Sequence, residues 1–257
     1  MSFNLVMIKP CTVKSSLVSG SYIERLNKAK ALNRSFFNLV SLGATADSLS
    51  YKDCKEIFHT LLPKDTKIHV NKLGKKEQNA GTAGAMYFNK NYNKYSYILE
   101  LPIVKKNNAR TNEKDLYICV SDFHVLAHEN FHLFSTILNP KHAARDKFSN
   151  KDYMIYRKLF YKKMDVFFDF VEKFLWRLKV NEALKEKTKT EKIDFLQNCR
   201  YRLIEEDLAY KEEQKFIKHK DVEYYFFEDK IKIIERMIHK LIKQKRKALA
   251  EKNNKNM

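Results

Sequence analysis

His124-Val125-Leu126-Ala127-His128-Glu129-Asn130-Phe131-His132-Leu133-Phe134 is the stretch around which the chain is organised. Within it, His128-Glu129-Asn130-Phe131-His132 is an H-E-x-x-H sequence, the one motif here that names a chemistry. On a helix, His128 and His132 sit one turn apart on the same face, roughly 6 Å along the axis. Two imidazoles so placed can converge on one Zn²⁺ at about 2.0–2.1 Å each. Glu129 then stands beside the first ligand as a general base. With 8 histidines in 257 residues, the motif is expected by chance on the order of 0.02 times. Val125, Leu126, Phe131, Leu133, Phe134, Ile137 and Leu138 predict a mostly buried helix around it, ending near Leu138 before Asn139-Pro140.

Working upstream, Ser121 or Asp122 is a candidate N-cap for this helix, and Leu116 to Val120 is an apolar lead-in. Lys67-Ile68-His69-Val70, Ala85 to Phe88 and Tyr95 to Leu101 read as strands, with Asn91 to Lys94 as a hairpin turn. Residues 105 to 114 form a polar loop. The glycines Gly74, Gly81 and Gly84 lack the Gly-Lys-Ser/Thr ending of a phosphate loop. From 20 to 62 the apolar spacing predicts helices interrupted at Gly43, with Asp47, Ser48 or Ser50 opening the second. The expected fold class is therefore α+β and mostly helical, with a small antiparallel or mixed sheet next to the H-E-x-x-H helix and a helical C-terminal half.

Downstream of 150 the chain reads as helix throughout. Tyr153 to Lys187 holds so many aromatics that it predicts a buried element, followed by helices from Lys192 to Lys218 and from Val222 to Ala250. In the last, Ile231, Ile234, Ile238 and Leu241 form a packing stripe between lysines. The expected organisation is a flexible leader over 1–19, one domain over 20–220, and a basic amphipathic helix over 221–257. That helix packs on the domain and ends in a disordered tail.

Composition narrows the function classes. With 44% hydrophobic and 13% aromatic residues the chain has material for a substantial core. The net charge of +19 suits an acidic protein substrate; nucleic acid or an anionic membrane are secondary partners. Cys11, Cys54, Cys119 and Cys199 are widely spaced and form no C-x-x-C pair, which predicts free thiols in a reducing compartment. No signal-peptide pattern opens the sequence and no apolar run is long enough to span a bilayer, so the expectation is a soluble, cytoplasmic protein. Transfer into a host cytosol would require a non-classical export route.

A catalytic zinc takes three protein ligands and keeps one open position. His124, His128 and His132 span about 12 Å on a straight helix and cannot all meet one ion, so His124 is expected at the cavity rim or bonded to a carboxylate. The H-E-x-x-H-x-x-G-x-x-H pattern fails, with Ser135 and Leu138 at its glycine and third histidine. His142 and Asp146 have no supporting pattern. Arg202-Leu203-Ile204-Glu205-Glu206-Asp207-Leu208-Ala209-Tyr210 offers an acidic pair in a partly apolar helix, and either Glu205 or Glu206 can complete a His-His-Glu set. The plain alternative is a solvated acidic face.

His128-Glu129-Asn130-Phe131-His132 followed by Glu206-Asp207-Leu208-Ala209 resembles the gluzincin type of zincin metallopeptidase. The Glu-x-x-Ala spacing is similar to that of compact bacterial toxin and effector proteases such as the anthrax lethal factor protease domain. The resemblance implies a zincin-like fold, zinc bound by His128, His132 and Glu206, Glu129 as the catalytic base, and hydrolysis of a protein substrate. It covers the motif residues firmly and 65 to 215 loosely. Where some gluzincins place an orienting carboxylate four residues after the ligand glutamate, this chain has Tyr210, or Ala209 if Glu205 ligates. Tyr201 and Tyr210 are both candidates to stabilise the oxyanion. The rival expectation is a basic helical binding module for nucleic acid or anionic membrane, with the H-E-x-x-H accidental or structural.

Overall fold

The computed structural model describes residues 22–43, 48–64, 66–74, 85–91, 94–101, 104–105, 116–138, 148–160, 170–217 and 226–255. These are mostly helical, with a small set of short strands in two sheets, an α+β architecture. The chain divides into two compact units, Met1–Ala144 with Ala209–Lys218, and Arg145–Leu208 with His219–Met257. The expected leader over 1–19 lies outside the described residues.

In the first unit, helix α1 (Tyr22–Gly43) buries Leu26, Ala29, Leu32, Phe36 and Val40, a spacing that turns one stripe inward. Strand β1 (Ser48–Ser50) leads into α2 (Tyr51–Leu61), whose first turn is capped by Ser50 Oγ accepting from the Asp53 N–H at 3.0 Å. Phe58 of α2 meets Phe36 of α1 at 4.8 Å between ring centroids. The Tyr51 hydroxyl donates to the Leu101 carbonyl at 3.1 Å, and burial pushes its pKa up.

Two three-stranded sheets stand where one was expected. Strands β2 (Lys67–Lys72), β3 (Ala85–Asn91) and β4 (Lys94–Leu101) form a mixed sheet in the order β2-β4-β3. Strands β3 and β4 are an antiparallel pair in which Asn91 faces Lys94, and β2 joins β4 in parallel, Lys67 opposite Ser96. The second sheet, β1-β6-β5, is antiparallel and pairs Ser48–Ser50 and β5 (Val104–Lys105) with β6 (Leu116–Cys119). Strands of two or three residues carry too few alternations to announce themselves. After β6 a single 3₁₀ turn, Val120–Asp122, opens α3 (Phe123–Leu138), the motif helix. Phe134 of α3 lies 5.9 Å from Phe58, which joins the motif helix to the aromatic core.

In the second unit the aromatic stretch from Tyr153 onward is not one buried helix. Its described residues form α4 (Asn150–Leu159) and α5 (Phe170–Ala183), and α5 leaves Phe170, Phe174 and Leu175 exposed. Trp176 is buried, and its indole N–H donates to the Leu159 carbonyl at 2.7 Å. Helix α6 (Lys189–Glu213) starts at a capping box: Thr188 N–H and Oγ donate to Glu191 Oε2, each at 2.7 Å. These bonds hold the Glu191 carboxyl below its usual pKa. Helix α7 (Phe227–Lys255) buries Ile234 and Ile238, as the packing stripe predicts, and runs on through the basic stretch to Lys255. Lys, Ala, Glu and Gln favour helix without tertiary support. Arg200 of α6 pairs with Glu235 of α7 at 2.7 Å. Lys230, fully buried, donates to the Phe160 carbonyl at 3.1 Å. Among the described residues no helix is long and apolar enough to cross a membrane.

Candidate metal centre

Helix α3 is buried nearly all round, and His128 and Glu129 are each only 9% exposed. Its two motif histidines turn toward each other. The Nε2 atoms of His128 and His132 are 3.2 Å apart, and the ring centroids are 4.9 Å apart at 62°. Two nitrogens each about 2.0–2.1 Å from one ion, at a tetrahedral angle, are separated by roughly 3.3 Å. The observed spacing fits that requirement closely.

The opposite edge of the His128 ring is held from α6. His128 Nδ1 lies 2.9 Å from Glu213 Oε2, and the Tyr210 ring stands against the imidazole at 4.7 Å and 80°. A carboxylate at Nδ1 takes the N–H on that side, which leaves the Nε2 lone pair facing His132 and makes it a better metal donor. Glu206, Tyr210 and Glu213 are spaced i, i+4, i+7 and so share one face of α6. Tyr210 and Glu213 belong to the unit that carries the motif helix. Glu206 precedes them without a break in the helix.

One oxygen of Glu206 and one nitrogen each of His128 and His132 lie within 4.8 Å of one another, the group of metal-ligating side chains found among the described residues. The set can hold a metal ion, and its two imidazoles and one carboxylate have the donor chemistry zinc accepts. Glu205, a residue earlier and about 100° round the helix, is not in the group. Ala209 is fully buried. Of the two candidate tyrosines, Tyr210 stands at His128. Tyr201 lies nine residues earlier on α6, about two and a half turns along and on the opposite face, and carries the Arg200 guanidinium near its ring, at 5.8 Å.

His124 makes a local bond. Its Nδ1 meets the Ser121 carbonyl at 2.7 Å, a local contact with the preceding turn, and no carboxylate is involved in it. His142 and Asp146 lie outside the described residues.

Two contributors have no motif in the sequence. Glu213 is one; the i+7 spacing from Glu206 is its signal, since residues two turns apart present the same face. The other is Asn33, 1% exposed on the apolar stripe of α1. Its Nδ2 donates to the Ala127 carbonyl, next to His128, at 3.1 Å and reaches Glu212 Oε2 at 3.5 Å. Glu212, itself buried, pairs with Lys215. A polar residue on a buried stripe was the available clue.

No protein-family model matches the chain, and neither a curated protein nor a solved structure shows significant similarity to it.

Proposed function

We propose that the chain is a zinc-dependent endopeptidase of zincin-like fold, with His128, His132 and Glu206 as the metal ligands. The observation that carries this reading is the 3.2 Å separation of the two Nε2 atoms, with Glu206 in the same group. Zinc held there would supply Lewis acidity toward a substrate carbonyl and would lower the pKa of water toward about 7.

The chain's own residues do the rest. Glu129 takes the proton of the attacking water and passes it to the leaving amine, a role of about 10²–10⁴-fold in rate. Glu213 fixes the tautomer of His128. Tyr210 is the hydroxyl we assign to the negative charge that develops on the carbonyl oxygen. A charge of +19 favours an acidic protein substrate, and a compact enzyme of this kind suits an effector or toxin acting in a cytosol. The test is Glu129→Gln, read by mass spectrometry on a proteome-derived peptide mixture. The variant keeps its zinc and loses cleavage; cleavage at the wild-type rate overturns the assignment.

A second reading rests on the exposed lysines and arginine of α7, Lys240, Lys243, Lys245, Arg246 and Lys247. A nucleic-acid-binding module with a structural metal would show salt-dependent binding that chelators leave untouched.

A further inference from the structure

Helix α5 has two apolar faces. Trp176, 5% exposed, and Val180, fully buried, point inward, and Lys173 ties the same side to Asp229 at 3.2 Å. On the opposite side Phe170 is 84% exposed, and Val171, Phe174, Leu175 and Leu178 are each about half exposed. At 100° per residue these five cover an arc of roughly 140°, centred nearly opposite the inward pair. Exposed Arg177 borders one edge of the arc and exposed Lys179 the other. Nothing in composition requires an outward stripe of this kind, and soluble surfaces seldom gather five large apolar side chains in little more than two turns.

We propose that α5 docks this unit on an anionic lipid surface. The helix would lie in the interface plane, with Phe170, Phe174 and Leu178 in the headgroup–acyl boundary and Arg177 and Lys179 reaching lipid phosphates on either side. Charge selects this occupant. A second copy of the chain brings another +19 against the first, which opposes pairing through this face. A nucleic acid satisfies the cations but offers no cover for five apolar side chains. The cations at both edges of the stripe match an apolar layer under dispersed negative charge, which an anionic lipid surface presents. The assignment is independent of the peptidase reading.

The experiment is co-sedimentation of the full chain with vesicles of phosphatidylcholine alone and of phosphatidylcholine with about one third phosphatidylserine. Wild type, Phe170→Ser/Phe174→Ser and Arg177→Glu/Lys179→Glu are compared, and far-UV circular dichroism checks that each folds. The expected result is binding to the anionic vesicles, with about a tenfold or greater loss in each double variant, and weak binding to the neutral vesicles. Three results would each overturn the proposal. Wild type fails to bind anionic vesicles; the Phe170→Ser/Phe174→Ser variant binds as tightly as wild type; or wild type forms a dimer in sedimentation equilibrium that the same variant loses.

Discussion

Glu213 Oε2 and His128 Nδ1 are 2.9 Å apart, on the edge of the imidazole that faces away from His132. The contact ties the C-terminal end of α6 to the motif helix. It also means that the better-placed nitrogen of His128 is presented as a donor before any ligand arrives. Glu213→Ala is expected to weaken zinc binding by about 10–100-fold, and Glu213→Gln by less, because an amide oxygen still accepts the Nδ1 proton. Competition with a chromogenic chelator measures both. Equal affinity in all three proteins would mean that Glu213 does not position the histidine.

Asn33 ties α1 to the carbonyl just before His128. Replacing it with alanine removes a buried hydrogen bond, and the fold is expected to lose about 1–3 kcal/mol. Urea denaturation reads this directly. An unchanged midpoint would show that the Ala127 carbonyl is satisfied without it.

Lys230 gives a pH signature. Burial lowers its pKa to about 8, against about 10.4 in an unfolded chain. The folded state therefore binds fewer protons than the unfolded one between these values. The stabilising contribution is full above about pH 10 and is lost as pH falls through about 8. Lys230→Met should flatten the rise in thermal midpoint between pH 8 and 10 relative to wild type. Parallel curves for the two proteins would refute the depressed pKa.

The thiols should separate by burial. Cys54 and Cys199 are fully buried and Cys119 is partly exposed, and none of the three is in a disulfide. Burial also raises the Cys54 pKa, which keeps the reactive thiolate scarce. Iodoacetamide mapping of the native protein is expected to mark Cys119 and to reach Cys54 and Cys199 only after unfolding.

What the sequence disclosed follows from how local each signal is. Ser50, one of three candidate caps, the close of the motif helix at Leu138 and the β3–β4 hairpin across Asn91 and Lys94 are all written in neighbouring residues, and the structure has each of them. The parallel partnership of β2 with β4 and the pairing of Ser48–Ser50 with β6 join segments far apart in the chain. No local pattern encodes them. Glu205 and Glu206 differ only in the phase of α6, which is fixed by where the helix starts and what it packs against. The apolar wealth of α5 looked like core because composition counts apolar side chains and is blind to whether anything faces them. Glu213 was hidden for a related reason, since a carboxylate on a lysine-rich helix resembles a solvated charge until its partner is known.

The central claim is that His128, His132 and Glu206 hold a metal ion, and bound zinc per chain by elemental mass spectrometry tests it most directly. Wild type, His128→Ala, Glu205→Ala and Glu206→Ala would be measured after the same zinc loading and desalting. The account predicts about one zinc per chain in wild type and in Glu205→Ala, and little in His128→Ala or Glu206→Ala. Zinc absent from wild type, or retained in full by both His128→Ala and Glu206→Ala, would contradict it.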